Sequence, residues 1–177
     1  MNKKLLATFV SVIAFCAARA AEGPTQPQEG QAAPDFTLTS NEGSSVSLKE
    51  FKGKWVVLYF YPKDFTSGCT LEAQNFQRDL TKYQSQNAVI VGVSVDTAQS
   101  HKDFCAKEGL NFKLLADPDA KAVGAYGSAA EYHGTKMAAR NTFLIDPQGK
   151  IAKVYSHVNP VDHSAQVLQD LATLKKS

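Results

Sequence analysis

The chain has 177 residues, of which 44% are hydrophobic and 10% aromatic, and its formal net charge is +2. This composition excludes an intrinsically disordered chain, and the charge supplies no basic face for a nucleic acid. Because one hydrophobic core suffices at this length, the three cysteines need an explanation other than a disulfide scaffold or a structural metal.

The first twenty residues are typical of a secretory signal peptide. A short basic start at 2–4 precedes an almost wholly apolar run at 5–18, and Ala-Arg-Ala at 18–20 has the pattern of a cleavage site. The apolar run is shorter than the roughly 20 residues of a membrane-spanning helix. Lipidation of Cys16 is the alternative, but Phe15 stands where such signals have a small residue. We expect export to an oxidising compartment, most simply the bacterial periplasm.

Signal cleavage changes both the charge and the cysteine count. Loss of residues 1–20 removes three basic residues and no acidic one, so the 19 basic and 17 acidic residues give a mature net charge of −1. Cys69 and Cys105 remain. An even number of cysteines in an exported protein leaves a structural disulfide open as an interpretation.

The first elements of the domain follow a polar segment. Residues 21–34 are small, polar or proline, which predicts a flexible tether, and we expect a single domain over residues 35–177. Short strands at 36–38 and 46–48, joined by a turn, predict an N-terminal β-hairpin.

Two apolar runs rich in β-branched and aromatic residues, 55–61 and 88–95, predict central strands that are covered on both faces. Between them, apolar residues recur at helical spacing: Leu71, Ala73, Phe76, Leu80 and Tyr83. A strand, a helix and a strand in this order predict a βαβ unit with parallel pairing.

The rest of the chain continues the alternation of strands and helices. We predict a helix at 98–108, a strand at 112–115, a short helix at 119–126, a loop at 127–139, strands at 142–145 and 151–155 joined by a turn at 146–149, and a final helix at 161–174. These elements predict an α/β domain with helices on both faces of a mixed sheet.

The candidate catalytic residues lie directly after the first predicted central strand. That strand ends at Pro62, a loop follows, and Cys69 falls in the first turn of the next helix. The carboxyl ends of strands form the usual site of an α/β sheet, and a helix N-terminus carries a partial positive charge. Both features favour a thiolate, the nucleophilic form of cysteine. The alternative is a buried cysteine that acts as a small apolar residue, which we would expect mid-helix or on a strand.

The pattern Pro62-x-x-x-Thr66-x-x-Cys69 matches the active-site signature of the peroxiredoxins. With FYPKDFTSGCTLEAQ at 60–74 and RNTFLID at 140–146, the chain resembles the peroxiredoxin Q (bacterioferritin comigratory protein) branch over about residues 31–175. The resemblance implies a thioredoxin-like fold. It also implies a thiol peroxidase that reduces hydrogen peroxide and organic hydroperoxides and needs no metal, haem or flavin.

The resemblance assigns roles to four residues around this signature. Cys69 would be the peroxidatic cysteine, whose thiolate attacks the peroxide and becomes a sulfenic acid. The hydroxyl of Thr66, the guanidinium of Arg140 and the backbone N–H of Cys69 are the candidate donors to the peroxide oxygens. Pro62 would shield the thiolate from water. Thr66 could also serve as a helix N-cap, and the alternative for Arg140 is a surface arginine.

The resolving cysteine departs from the commonest pattern of the branch. Many members have it five residues after the peroxidatic cysteine, where this chain has Gln74. A subset has it on the following helix, and Cys105 resembles that arrangement, which implies an intramolecular Cys69–Cys105 disulfide. A disulfide needs Cα atoms about 4.4 to 6.8 Å apart, and two separately packed helices seldom bring them so close. We therefore expect local unwinding around Cys69 or Cys105 between the reduced and oxidised forms. The alternative for Cys105 is a core-facing helix residue.

Turnover by such an enzyme requires an external dithiol donor, and the resemblance implies a thioredoxin-like protein. Intramolecular resolution favours a monomer, and neither a nucleic acid nor, after signal cleavage, a membrane is expected as a partner.

Each alternative function would require a different arrangement of cysteines or histidines. A thioredoxin-type oxidoreductase needs a C-x-x-C motif, which Cys69 does not begin, and a non-catalytic module would hold Cys69 and Cys105 in a structural disulfide. The four histidines form no close pair typical of a metal site, and we interpret each as exposed: His101, His133, His157 and His163.

Overall fold

The structure is a computed structural model that describes residues 26–176, so the predicted signal peptide lies outside the described residues. The strands are β1 Thr37–Ser40, β2 Ser45–Ser47, β3 Trp55–Phe60, β4 Ala88–Ser94, β5 Lys113–Ala116, β6 Ala129–Tyr132, β7 Thr135–Ala138, β8 Asn141–Ile145 and β9 Ile151–Tyr155. The helices are α1 Ser67–Ser85, α2 Ala98–Glu108, α3 Lys121–Ala125 and α4 His163–Leu174, with one 3₁₀ turn at Leu48–Phe51. Within residues 26–176, no helix is both long and apolar enough to cross a membrane.

Seven strands form one mixed sheet in the order β2-β1-β5-β4-β3-β8-β9. The βαβ unit is confirmed, because β3 and β4 are parallel and α1 joins them. The β1–β2 pair is antiparallel, as the predicted N-terminal hairpin requires, and so is the β8–β9 pair at the opposite edge. The mixed α/β architecture predicted from the apolar runs is therefore correct.

Alternate residues of β3 face opposite sides of the sheet. Val57 and Tyr59 pack into a core that includes residues of α1, α2 and α4. Leu58 and Phe60 pack into a second core, which includes α3. Both faces of the strand are thus buried, which explains its uninterrupted apolar sequence. Helices lie on both faces of the sheet, as predicted.

Gly92 of β4 is the place where the core tolerates no side chain. A Cβ there would lie 2.7 Å from Cζ of Tyr59 and 2.6 Å from Cδ2 of Leu114. Because both neighbours are fully buried, we expect Gly92→Ala to lower the free energy of unfolding by about 1–3 kcal/mol in chemical denaturation. Gly124→Ala on α3 is the matched control, since a Cβ there meets nothing within 4 Å. Equal destabilisation by both substitutions would contradict the prediction.

The segment at 26–34 packs on the domain. The N–H of Gly30 donates to the carbonyl of Ile151 at 2.8 Å, and the N–H of Ile151 donates back to the carbonyl of Gln31 at 2.8 Å. The prediction of a flexible tether over 21–34 is therefore wrong for these residues. Their small and polar side chains gave no apolar signal, but their backbone pairs with the edge of the sheet.

A second, two-stranded sheet formed by β6 and β7 replaces part of the loop predicted at 127–139. The turn residues His133 and Gly134 both have positive φ, 49° and 76°. Positive φ at two central residues is typical of a tight hairpin turn. The strands carry mostly exposed side chains, so hydrophobic alternation does not reveal them.

Candidate active site

Cys69 occupies the first turn of α1, just beyond the carboxyl end of the central strand β3, and is 2% exposed. The N–H of Thr70 donates to the carbonyl of Thr66 at 2.9 Å. The N–H of Cys69 lies one residue earlier, among the first-turn groups of a helix that have no intrahelical partner. The thiol therefore lies beside an unpaired donor and the positive end of the helix dipole.

Arg140 reaches the sulfur from the neighbouring strand. The antiparallel register pairs Phe60, at the end of β3, with Asn141, at the start of β8, so Arg140 lies at the same edge of the sheet as Cys69. Its Nη2 is 3.2 Å from Sγ of Cys69, and its Nη1 donates to the carboxylate of Glu72. The arginine side chain is only 16% exposed, so solvent screens these contacts weakly.

Glu72 is a member of the site that the sequence analysis missed. It follows Cys69 by three residues on α1, which places both side chains on one face of the helix. Burial raises the pKa of its carboxyl to about 7, although the charge of Arg140 opposes this shift. The carboxylate holds one end of the guanidinium while the other end contacts the sulfur. The three-residue separation of Glu72 from Cys69 was the sequence feature that could have indicated this role. That separation does not distinguish a buried glutamate from an exposed one.

Thr66 and Pro62 lie in the loop that leads to Cys69. Thr66 is the N-cap residue of α1 by its extended backbone, but its side chain makes no capping hydrogen bond. Its hydroxyl donates instead to the carbonyl of Lys63 at 2.9 Å. Pro62 is half-buried and lies two residues after the end of β3. Within residues 26–176, the direct polar contact of the sulfur is with Arg140.

The same loop is fastened to α2 by Asp64. Its carboxylate accepts hydrogen bonds from the hydroxyls of Ser100 at 2.6 Å and Tyr61 at 2.7 Å. It also lies 2.8 Å from Nδ1 of His101. Burial alone would raise the pKa of Asp64, but the hydrogen bonds from these groups and the charge of His101 lower it. The carboxyl therefore stays ionised.

Phe65, the next residue, makes an apolar contact with the same helix. Its ring meets the ring of Phe104 edge-on, with centroids 5.1 Å apart, and the ammonium of Lys107 lies 5.4 Å from its centroid. The φ of Phe65 is +62°, a conformation that a bulky residue rarely adopts. The loop before Cys69 is thus tied to the helix that carries the second cysteine.

Cys105 lies near the end of α2 and is 8% exposed. Both cysteines are free thiols, and both belong to the core that contains Tyr59. Burial raises the pKa of Cys105 to about 12, and the carboxylates of Asp64 and Glu42 add to the shift. The helix ends at Gly109, whose N–H donates to the carbonyl of Cys105. Cys105 therefore lies in the last turn of its helix.

The prediction that all four histidines are exposed is wrong for two of them. His101 and His163 are 0% and 1% exposed, whereas His133 and His157 are exposed. Each buried ring has one bonded nitrogen, His101 to a carboxylate and His163 to a threonine hydroxyl of β8 at 2.8 Å. These partners are far away in sequence, so spacing gives no signal of burial.

Comparison with known proteins places these residues in a family. The model of the AhpC/TSA family matches residues 29–154. A Helicobacter pylori protein described as a putative peroxiredoxin bcp is 44% identical over 146 residues, which cover 80% of this chain and 96% of that protein.

Comparison with solved structures indicates the same family. The chain resembles PrxQ from Xylella fastidiosa with a TM-score of 0.81 and 31% identity, over 85% of this chain and 99% of that chain. It also resembles the Xanthomonas campestris bacterioferritin comigratory protein, described by its alkyl peroxide reduction activity, with a TM-score of 0.76 and 32% identity over 82% and 98%. The mixed sheet is thus a thioredoxin-like fold. The chain belongs to the AhpC/TSA family and is a peroxiredoxin of the Bcp/PrxQ branch.

Proposed function

We propose that this thiol peroxidase uses Cys69 to reduce hydrogen peroxide and organic hydroperoxides. The observation that carries the proposal is the 3.2 Å contact of Arg140 Nη2 with Sγ of Cys69, at the N-terminus of α1. A guanidinium and a helix N-terminus both favour a thiolate over a thiol, and the thiolate is the attacking form. The alkyl peroxide activity of the Xanthomonas campestris relative supports organic hydroperoxides as substrates.

In the first step, the thiolate attacks one peroxide oxygen. The S–O bond forms as the O–O bond breaks, the sulfur is oxidised to a sulfenic acid, and the leaving oxygen takes a proton to become water or an alcohol. Negative charge moves from the sulfur to the leaving oxygen, so donors at both positions lower the barrier. Arg140, the N–H of Cys69 and the hydroxyl of Thr66 are the proposed donors, and the hydroxyl must first turn away from the carbonyl of Lys63. Glu72 holds Arg140 in place.

In the second step, Cys105 attacks the sulfenic sulfur of Cys69, so that a disulfide forms and water leaves. The two cysteines lie on different helices and are both free thiols, and we expect local unwinding to bring the two sulfurs together. The last turn of α2 is the shortest segment whose unwinding frees Cys105, because the helix ends at Gly109. The 2.8 Å hydrogen bond from Gln74 on α1 to Glu108 on α2 joins this turn to the helix of Cys69.

A thioredoxin-like dithiol donor would then reduce the disulfide and restore both thiols. Resolution inside one chain needs no second subunit, which supports a monomer. The basic start, the apolar run and the small-x-small motif within residues 1–20 support export, most simply to the bacterial periplasm.

Cys105→Ser tests the resolving step. The sulfenic acid on Cys69 should form at the wild-type rate and persist, because no second thiol remains to attack it in the chain without residues 1–20. We expect turnover with thioredoxin and its reductase to fall at least about 100-fold, since an intramolecular reaction is lost, while turnover with a small monothiol is retained. Peroxide consumption with each donor, with dimedone trapping of the sulfenic acid, measures both effects.

Two outcomes would contradict the proposal. If Cys105→Ser lost the same share of its turnover with thioredoxin and with the monothiol, or lost none with either, Cys105 would be a core residue of the helix. A wild-type protein that consumes no peroxide and keeps a reductant-resistant disulfide would indicate the non-catalytic module instead.

A further inference from the structure

Asp64 and His101 form a buried carboxylate–imidazole pair that the peroxide step does not use. The Asp64 carboxylate lies 2.8 Å from Nδ1 of His101, and the hydroxyl of Tyr61 lies 3.3 Å from the same nitrogen. The two side chains are 0% and 1% exposed. Within residues 26–176, the second ring nitrogen, Nε2 of His101, is buried and has no hydrogen-bond partner.

The hydrogen bond to Asp64 decides which nitrogen of His101 can act as a base. An ionised carboxylate accepts the Nδ1 proton, which leaves the lone pair of the neutral ring on Nε2. An unpartnered polar atom in a core is costly, so it calls for an explanation. The pair therefore presents an oriented proton acceptor inside the protein.

Cys105 is the thiol nearest to this acceptor along the chain. His101 and Cys105 are four residues apart on α2, a spacing that makes side chains neighbours on one face of a helix. Both residues are buried. Burial is the largest cause of the raised pKa of Cys105 and the charge of Asp64 is the second, so Asp64 acts electrostatically on this thiol. A thiol with a pKa of about 12 needs a base before it can attack.

We propose that His101, oriented by Asp64, accepts the proton of Cys105 in the resolving step. The inference rests on the proposed resolving role of Cys105. Nε2 takes the proton from Sγ of Cys105 while the last turn of α2 is still helical, and the thiolate attacks the sulfenic sulfur of Cys69 once that turn has unwound. The S–S bond forms as the S–O bond breaks, and the departing hydroxide takes the proton from Nε2 and leaves as water.

This step needs no further reagent. The sulfur of Cys105 is oxidised and the sulfenic sulfur is reduced, so the electrons balance between the two cysteines. Asp64 stabilises the imidazolium that exists between the two proton transfers, as the carboxylate does in hydrolytic triads.

The ionisable groups around the pair come from the elements packed against it: Tyr59 from β3, Tyr61 directly after β3, Asp64 from the loop, Asp96 after β4, Glu42 from the β1–β2 turn and Cys105 on α2. Burial raises the pKa of both tyrosines well above its usual value, so their hydroxyls stay neutral. A neutral hydroxyl is a weak base, so within this set the tyrosines do not compete with His101 as proton acceptors.

A single-turnover experiment tests the proposal. Reduced protein receives one equivalent of hydrogen peroxide, and acid-quenched samples are analysed by mass spectrometry for the sulfenic acid and for the Cys69–Cys105 disulfide. In His101→Asn, we expect sulfenic acid formation at the wild-type rate and disulfide formation about 100-fold slower. His101→Gln provides the same comparison if the asparagine variant does not fold. Added imidazole should restore part of the rate in His101→Ala.

His163→Asn is the matched control, because His163 is also buried and its Nδ1 also lacks a partner among the described residues. It should form the disulfide at the wild-type rate. Equal slowing in this control, or a wild-type rate of disulfide formation in both His101→Asn and His101→Gln, would overturn the role of His101 and leave Cys105 as the resolving residue. A wild-type protein that forms no Cys69–Cys105 disulfide would overturn both proposals.

Discussion

Replacing Cys69 with serine is expected to slow peroxide consumption by at least about 10³-fold, because the serine hydroxyl is a poor nucleophile near neutral pH. Serine differs from cysteine by one atom, so the contacts between Arg140 and Glu72 should persist and the fold should be unchanged. Peroxide consumption with dithiothreitol measures the loss, and circular dichroism checks the fold.

Cys105→Ser is the control, because it also removes one thiol from the chain but should keep turnover with a small thiol. If Cys69→Ser kept measurable turnover while Cys105→Ser lost it, the two cysteines would have to exchange roles. If both variants kept turnover, the reaction would not take place at either sulfur.

Replacing Arg140 with methionine is expected to lower the rate constant of sulfenic acid formation by about 10²- to 10³-fold. The substitution removes the donor 3.2 Å from Sγ of Cys69 and keeps a side chain of similar length. Arg140→Lys should lose less, because it keeps the positive charge, but one ammonium cannot span the sulfur and Glu72 as a planar guanidinium does. Stopped-flow measurement of the first step separates this effect from the rate of resolution.

Stability must be separated from catalysis in this variant, because Arg140→Met leaves the carboxyl of Glu72 buried without its counter-charge. Its pKa, already raised to about 7 by burial, should rise further, so the group takes up a proton. In the double variant Arg140→Met with Glu72→Gln, we expect stability to recover but not the rate. Recovery of the rate as well would mean that Arg140 only neutralises Glu72.

Short-range patterns were sufficient for much of the fold and for the nucleophile. The apolar runs predict β3 and β4 because both strands are buried on both faces, and the helical spacing between them predicts α1. The position of Cys69 follows from the same elements, since a strand followed by a loop and a helix places the first helical turn at the end of the sheet.

The polar segments were harder to predict. Residues 26–34 and the β6–β7 hairpin are held by backbone hydrogen bonds and by turn conformation, and their side chains carry no hydrophobic periodicity. Backbone pairing depends on which edge of the sheet is available, and the edge exists only after the chain has folded.

The spacing of residues was enough to indicate a peroxiredoxin signature, a nucleophile at a helix N-terminus and a second cysteine one helix later. Only tertiary structure decided what surrounds them. Arg140 is 71 residues from Cys69 in sequence and 3.2 Å from it in space, through the pairing of β8 with β3. The burial of Glu72 and His101 was decided in the same way. Burial, and the charge state that follows from it, depends on which distant side chains pack around a group, and packing is a property of the whole fold.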